Sequence, residues 1–436
     1  APHEAAFLAS LPKAPGRFHP VTGKERLMAR RNFVLREMYQ NGYITEAAYQ
    51  QERAMPMRSV QGGDFESFKA DLPPRDYFTD EIRRQLSEDF GEGEFFTGGL
   101  SVRATIDNEM QPIAADALRR QLEQFDRGQG VWRGTGKTLP AEALVDEATW
   151  RDALSKLAVP RDITLETQWF PAVVLETGGK GARLGIESVD NAEGGNWVPP
   201  KDMAWARKRL ENGRLGSKGD LVEVGDVVLV RRMVTDADGS FIRWTLRQVP
   251  EVQGGFVAMD VNTGRVIAMQ GGFSYQASVF NRATQAKRQP GSTFKLFVWL
   301  AALKAGMDAD DLISNREFTK GSYRPRNASG RYSEEITLND AFARSSNVAA
   351  VRLFGMVGDK AVIETARELG VTSPLAEDDP SLALGTSELT LLELTAAYAG
   401  IASNTWPVEP RAFAAEEPGW FDWIFDGKSS YSGSQH

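Results

Sequence analysis

Eight consecutive apolar residues, Leu296-Phe297-Val298-Trp299-Leu300-Ala301-Ala302-Leu303, follow directly on Lys295 and give out before Gly306. A helix that is apolar on every side must be buried all round, so this run marks the centre of a core. Immediately upstream, Arg288-Gln289-Pro290-Gly291 breaks the chain ahead of Ser292-Thr293-Phe294. Residues three apart share a helix face, which places Ser292 and Lys295 together in the first turn. A charge entering an otherwise apolar helix needs a chemical reason. A hydroxyl nucleophile beside an amine base supplies one.

Other ways of activating a serine are closed to the middle of this chain. The only histidines are His3, His19 and His436 and there is no cysteine, so neither a Ser-His-Asp triad nor a Cys-His pair can be assembled there. Free lysine keeps its proton to about pH 10.4, but burial and the positive end of a helix both disfavour the ammonium. The same helix terminus favours an alkoxide developing on Ser292. The Ser-x-x-Lys pattern is weak by itself, since a capping serine followed by a solvated lysine is its ordinary meaning. Ser10-Leu11-Pro12-Lys13 fits it too, although Pro12 and Pro15 set that copy against a single helical turn.

A second motif strengthens the first. Ser345-Ser346-Asn347 lies in Thr337–Val351, which reads as one helix ending and another beginning, and no other serine has asparagine two positions later. Helix capping explains such a triplet equally well in isolation. Beside Ser292 and Lys295 it becomes a second wall of one site.

With these motifs, the stretches Gly255-Phe256-Val257-Ala258-Met259-Asp260, Thr263-Gly264-Arg265-Val266 and Leu382-Ala383-Leu384-Gly385-Thr386-Ser387-Glu388-Leu389-Thr390 make the chain resemble the bifunctional class A penicillin-binding proteins. That family joins a peptidoglycan glycosyltransferase to a DD-transpeptidase carrying Ser-x-x-Lys, Ser-x-Asn and Lys-(Ser/Thr)-Gly. The resemblance implies an α+β multidomain fold: a transpeptidase sheet packed on a helical subdomain, an inserted small OB-like β-barrel, and a helical remnant of the glycosyltransferase domain. It implies catalytic Ser292 attacking the carbonyl between two D-alanines, Lys295 taking its proton, Ser345 relaying a proton to the leaving amine, and Asn347 binding the substrate amide. One oxyanion donor would be the Ser292 backbone N–H. No metal or cofactor is implied. The implied partners are peptidoglycan stem peptides, lipid-linked precursor, β-lactam antibiotics, cell-wall proteins at the inserted domain, and a bacterial inner membrane reached through an N-terminal anchor, with the enzyme on its periplasmic face. Serine β-lactamases share the motifs but deacylate fast, and a non-catalytic scaffold is a third reading.

Two parts of the family pattern are absent from the sequence. No Lys-(Ser/Thr)-Gly occurs among the 436 residues, the nearest candidate being Lys428-Ser429-Ser430, and the expectation is that the chain stops short of the motif. Glu4–Pro15 resembles the end of a glycosyltransferase domain whose catalytic glutamates lie upstream in relatives. Glu4 and Glu25 are isolated, so residues 1–58 are expected to have no glycan-polymerising activity.

Taken in order, the chain suits about three domains, with 42% hydrophobic residues to fill their cores. Residues 1–58 read as two helices, Glu4–Leu11 and Gly23–Asn41, the second with its apolar stripe on Leu27, Arg30, Val34, Leu35 and Met38. Residues 59–98 read as a linker with one helix near Asp80–Phe90. Residues 99–139 begin the transpeptidase domain, with a strand over Leu100–Ile106 and a helix capped by Asp107 through Leu122. Residues 140–252 hold the inserted domain: strands at Trp169–Glu176, Ala182–Ser188, Val227–Thr235 and Phe241–Val249, and a helix near Met203–Asn212. Residues 253–436 carry the transpeptidase core, with a hairpin turning at Asn262-Thr263-Gly264 and helices at Asp340–Met356, Asp359–Leu369 and Leu389–Ala402. A net charge of -8 with no basic cluster argues against nucleic acid. There is no secretory signal and no run of about 18 apolar residues, the length a membrane helix needs.

Overall fold

The computed structural model describes residues 1–13, 18, 20, 23–59, 64, 75–90, 102–210 and 212–412. It divides into two units, Ala1–Pro74 and Arg75–His436.

The first unit has three helices among its described residues, Pro2–Leu8, Lys24–Gln40 and Glu46–Ala54. The third was not read from the sequence. Thr45 caps it, accepting the Ala48 N–H at 3.3 Å. The stripe of the long helix is also corrected: the buried residues are Leu27, Arg31 and Leu35. Arg31 can be buried because its guanidinium donates to the Met55 carbonyl at 2.8 Å and the Arg53 carbonyl at 3.2 Å, at the end of that third helix. Ser10 is buried and donates to the Ala6 carbonyl at 2.7 Å, while Lys13 is exposed. The second Ser-x-x-Lys is therefore a helix end.

In the second unit, residues 131–247 build the barrel. Its main sheet runs Phe241–Arg247, Asp226–Val234, Thr167–Gly178, Gly181–Ile186, Asn196–Val198, all antiparallel. Alternate side chains such as Ala172, Val174, Leu184, Val228, Val230 and Leu246 fill its interior. The helix Glu147–Ser155, capped by Asp146, lays Trp150 and Leu154 on the other face of the sheet, against Val173 and Val227. Gly185 is required there, since a Cβ would stand 2.8 Å from the Trp150 ring.

The helix expected near Met203–Asn212 is not formed. Only a single 3-10 turn, Pro200–Asp202, precedes the strand Arg207–Arg209, which pairs parallel with Val131–Trp132 and antiparallel with Leu215–Lys218. Residues 203–210 have ordinary helix propensity, but Met203 and Ala206 are buried in the barrel core and Trp205 packs edge-on against Trp132. Tertiary burial overrides local preference here.

The helix Met110–Gly128 is longer than expected; Asp107 Oδ1 accepts the N–H groups of Glu109 and Met110, both at 2.9 Å. It lies on the hairpin Phe256–Met259/Val266–Gln270, with Gln111 bonded to the Met269 carbonyl at 2.8 Å. Leu100 and Ser101 fall outside the described residues. Val102–Ile106 forms no strand of its own, but Thr105 donates to the Val266 carbonyl at 2.6 Å and its N–H to the Ala412 carbonyl at 3.0 Å.

The helical subdomain packs around Lys295–Lys304. Phe297, Val298, Ala301 and Ala302 are buried against Ala350, Leu353, Val362, Ala366 and Leu382, but burial is not all round as expected: Leu296 and Leu300 are half-buried and Leu303 is exposed. The span Asp340–Met356 resolves into two helices, Leu338–Ala343 and Asn347–Val357, followed by Asp359–Glu368. Leu389 and Thr390 form a short strand, not helix, pairing with Lys287–Arg288, and the last helix runs Leu391–Ser403 behind a Thr390/Glu393 capping box.

Candidate active site

Ser292 stands in a 3-10 turn, Gly291–Phe294, and the α-helix starts at Lys295. The Lys295 N–H bonds back to the Ser292 carbonyl, so the two residues share one turn as the three-residue spacing required. Gly291 adopts φ +60, and Gly385 at φ +73 packs directly on it: a Cβ at 385 would lie 2.2 Å from the Gly291 oxygen. Tyr398 on the last helix donates to the Thr293 carbonyl at 2.8 Å. The turn is gripped from both sides, and Ser292 itself is exposed.

Lys295 is 1% exposed. Burial pulls its amine down from the ordinary 10.5 to about 8. Its Nζ donates to the Ser345 carbonyl at 2.7 Å, Ser345 Oγ at 3.0 Å and Asn347 Oδ1 at 2.6 Å. Three acceptors match the three hydrogens of an ammonium. Two of them, the carbonyl and the amide oxygen, can only accept. When the amine is neutral, the Ser345 hydroxyl is the partner able to turn and donate to its lone pair.

The sequence-based pairing is therefore modified. No described residue hydrogen-bonds the Ser292 hydroxyl, and the lysine's side-chain partners all come from Ser345-Ser346-Asn347. The structure brings the two motifs together through one amine.

The second motif sits where it does because a helix must end there. Ser345 N–H bonds to the Phe342 carbonyl and Ser346 N–H to the Ala341 carbonyl, both at 2.9 Å. This is the paired closure that ends helices with a left-handed residue, a place usually held by glycine. Ser345 takes it at φ +54. Ser346 then caps the next helix, its Oγ accepting the Ala349 N–H at 3.1 Å, and Asn347 is that helix's first residue. The Asn347 amide is turned by a bond from Nδ2 to the Arg326 carbonyl at 2.8 Å, which leaves Oδ1 facing the lysine.

Sequence reasoning passed over the supports of this junction. Asn315 and Asn327 are buried and both receive the Ser346 hydroxyl, at 2.8 and 3.2 Å. Each lies in a polar stretch that reads as loop, and no spacing announces that it folds inward. Lys428-Ser429-Ser430 lies outside the described residues. Among the described residues no group of acidic, histidine or cysteine side chains is set to hold a metal ion.

Comparison with known proteins agrees along the length of the chain. Residues 254–415 match the family described as penicillin binding protein transpeptidase domain, and residues 132–252 the penicillin-binding protein OB-like domain. Penicillin-binding protein 1A of Rickettsia felis is 33% identical over 415 residues, covering 94% of this chain and 48% of its own. That of Neisseria lactamica is 34% identical over 420 residues, covering 93% and 49%. The crystal structure of penicillin-binding protein 1A from Haemophilus influenzae superposes with a TM-score of 0.61 at 29% identity, over 91% of this chain and 55% of that one. The chain thus spans about half the length of the curated relatives it matches. The matched stretches run through barrel, serine turn and lysine helix alike, and the chain belongs to the penicillin-binding proteins, similar over nearly its whole length to about half of penicillin-binding protein 1A.

Proposed function

We propose that this chain provides the DD-transpeptidase of a peptidoglycan synthase, working through an acyl-enzyme on Ser292. The observation that carries the reading is the buried, lowered Lys295 amine bonded to both ends of the Ser-x-Asn motif, one helical turn from an exposed serine. Ser292 Oγ attacks the carbonyl between two D-alanines while its proton passes to neutral Lys295. The Ser292 N–H, in the first turn where backbone donors lack partners within the helix, faces the forming oxyanion. As the C–N bond breaks, the Ser345 hydroxyl gives its proton to the departing D-alanine amine and is reprotonated from Lys295. Asn347 orients the stem peptide through its amide. An amine from a second strand then attacks the ester and Ser292 regains its proton.

The same serine takes β-lactams, whose amide opens to an ester that no acceptor amine resolves. The parent protein also polymerises lipid-linked disaccharide, through residues beyond this chain, at the periplasmic face of the inner membrane. Among the described residues no helix is long and apolar enough to cross a membrane. The test is intact mass after penicillin, in protein that includes the family's third motif. A persistent adduct mapping to the Ser292 peptide is expected; rapid loss of the adduct would establish a β-lactamase instead.

A second prediction follows from the left-handed backbone of Ser345. Ser345→Gly and Ser345→Ala both lose the hydroxyl, but only glycine relieves the strain of φ +54. The glycine variant is expected to be more stable than the alanine one by about 1 kcal/mol in urea unfolding. Both are expected to acylate about 100-fold slower than the parent or worse, the usual cost of a lost proton relay. Parental rates in both variants would remove the relay from the mechanism.

A further inference from the structure

We propose that Asn327 is a positioning residue for acylation, acting through the helix junction that places the Ser345 hydroxyl against Lys295. The inference rests on the transpeptidase reading above. Asn327 is 8% exposed, and its amide uses its whole hydrogen-bonding capacity. Nδ2 donates to Asn315 Oδ1 at 3.1 Å and the Arg331 carbonyl at 2.9 Å. Oδ1 accepts the Ser346 hydroxyl at 3.2 Å and the Val348 N–H at 3.1 Å. The amide therefore has one orientation, because a flip would set its NH2 against the Val348 N–H and its oxygen against the Asn315 Oδ1 and the Arg331 carbonyl.

What Asn327 holds is the start of the Asn347–Val357 helix. Val348 carries one of the N–H groups left without a partner inside that helix, and Ser346 is its capping residue. Ser345 sits between this fixed start and the closed end of Leu338–Ala343, in a backbone conformation that a serine leaves when it is free to. The neighbouring Arg326 carbonyl sets the Asn347 amide, so one short loop fixes both residues that meet the lysine. Neither Asn327 nor its loop touches Lys295 among the hydrogen bonds described. Its influence passes entirely through the junction.

The test compares penicillin acylation rates of the full-length parent, Asn327→Ala and Val362→Ala, the last being a buried helix residue of the same core away from the junction. Each is measured well below its own melting transition, alone and on a Ser345→Ala background. Asn327→Ala is expected to slow acylation by about tenfold or more, as small misplacements of catalytic groups do, while Val362→Ala stays near parental. On the Ser345→Ala background the Asn327→Ala cost is expected to shrink below about threefold, since two residues acting through one contact are not additive. Where Asn327→Ala does not fold, Asn327→Ser, which keeps a hydroxyl for the Val348 N–H, carries the same comparison. A full cost that persists without the Ser345 hydroxyl, or equal rates for the Asn327 and Val362 variants, overturns the inference. Failure of the parent itself to label at Ser292 would instead sink the transpeptidase reading.

Discussion

Ser292→Ala is expected to eliminate covalent labelling by penicillin altogether while leaving the fold unchanged. The side chain is exposed, no described residue hydrogen-bonds its hydroxyl, and the backbone of the turn that carries it is held by Gly385 and by the Tyr398 hydroxyl. Removing one oxygen therefore takes away the nucleophile and little else. Intact mass spectrometry should show no added mass in the variant under conditions that fully convert the parent, and circular dichroism melting should coincide for the two. An adduct that survives the substitution would move the nucleophile elsewhere. The capped, buried Ser10 offers no alternative, because its hydroxyl is committed to the Ala6 carbonyl.

Lys295→Ala is expected to lower the acylation rate by about 10² to 10⁴, the range for loss of a general base. The unsubstituted protein supplies a second signature of the same amine. In the proposed mechanism neutral lysine is the active form, and burial places its pKa at about 8. Acylation should rise about tenfold per pH unit below that value and level off above it, while Lys295→Ala should be slow and lack this limb. The same shift acts on stability. The folded amine binds its proton less tightly than the unfolded one, so between about pH 8 and 10.5 the unfolded chain holds more protons, and the lysine's contribution to stability grows as pH rises through that window. A flat pH profile in the parent would remove Lys295 as the base.

Much of this site could be read in advance because its residues are close in sequence. A three-residue spacing fixes Ser292 and Lys295 in one turn whatever the rest of the chain does. The greasy run after Lys295 likewise has no stable place but a core, and the alternating strands at 167–186 and 226–247 could scarcely pair otherwise. Local preference misled where burial outweighed it. Residues 203–210 had ordinary helix formers but were drawn into strand and turn by the Trp132 and Trp205 contact, and Arg31 was buried because backbone carbonyls from a distant helix end were there to receive it.

The sequence by itself determined what chemistry is within reach: a hydroxyl and an amine that share one turn, in a stretch of chain with no histidine and no cysteine. Only the tertiary structure decided to whom the amine is bound. Lys295 reaches Ser345 and Asn347 because two helices meet at a left-handed serine fifty residues further along the chain, and the buried amides of Asn315 and Asn327 hold that meeting in place. Spacing along one helix is settled by its own geometry, which the sequence carries. The approach of separate elements depends on the packing of their whole surfaces, to which every residue of the core contributes.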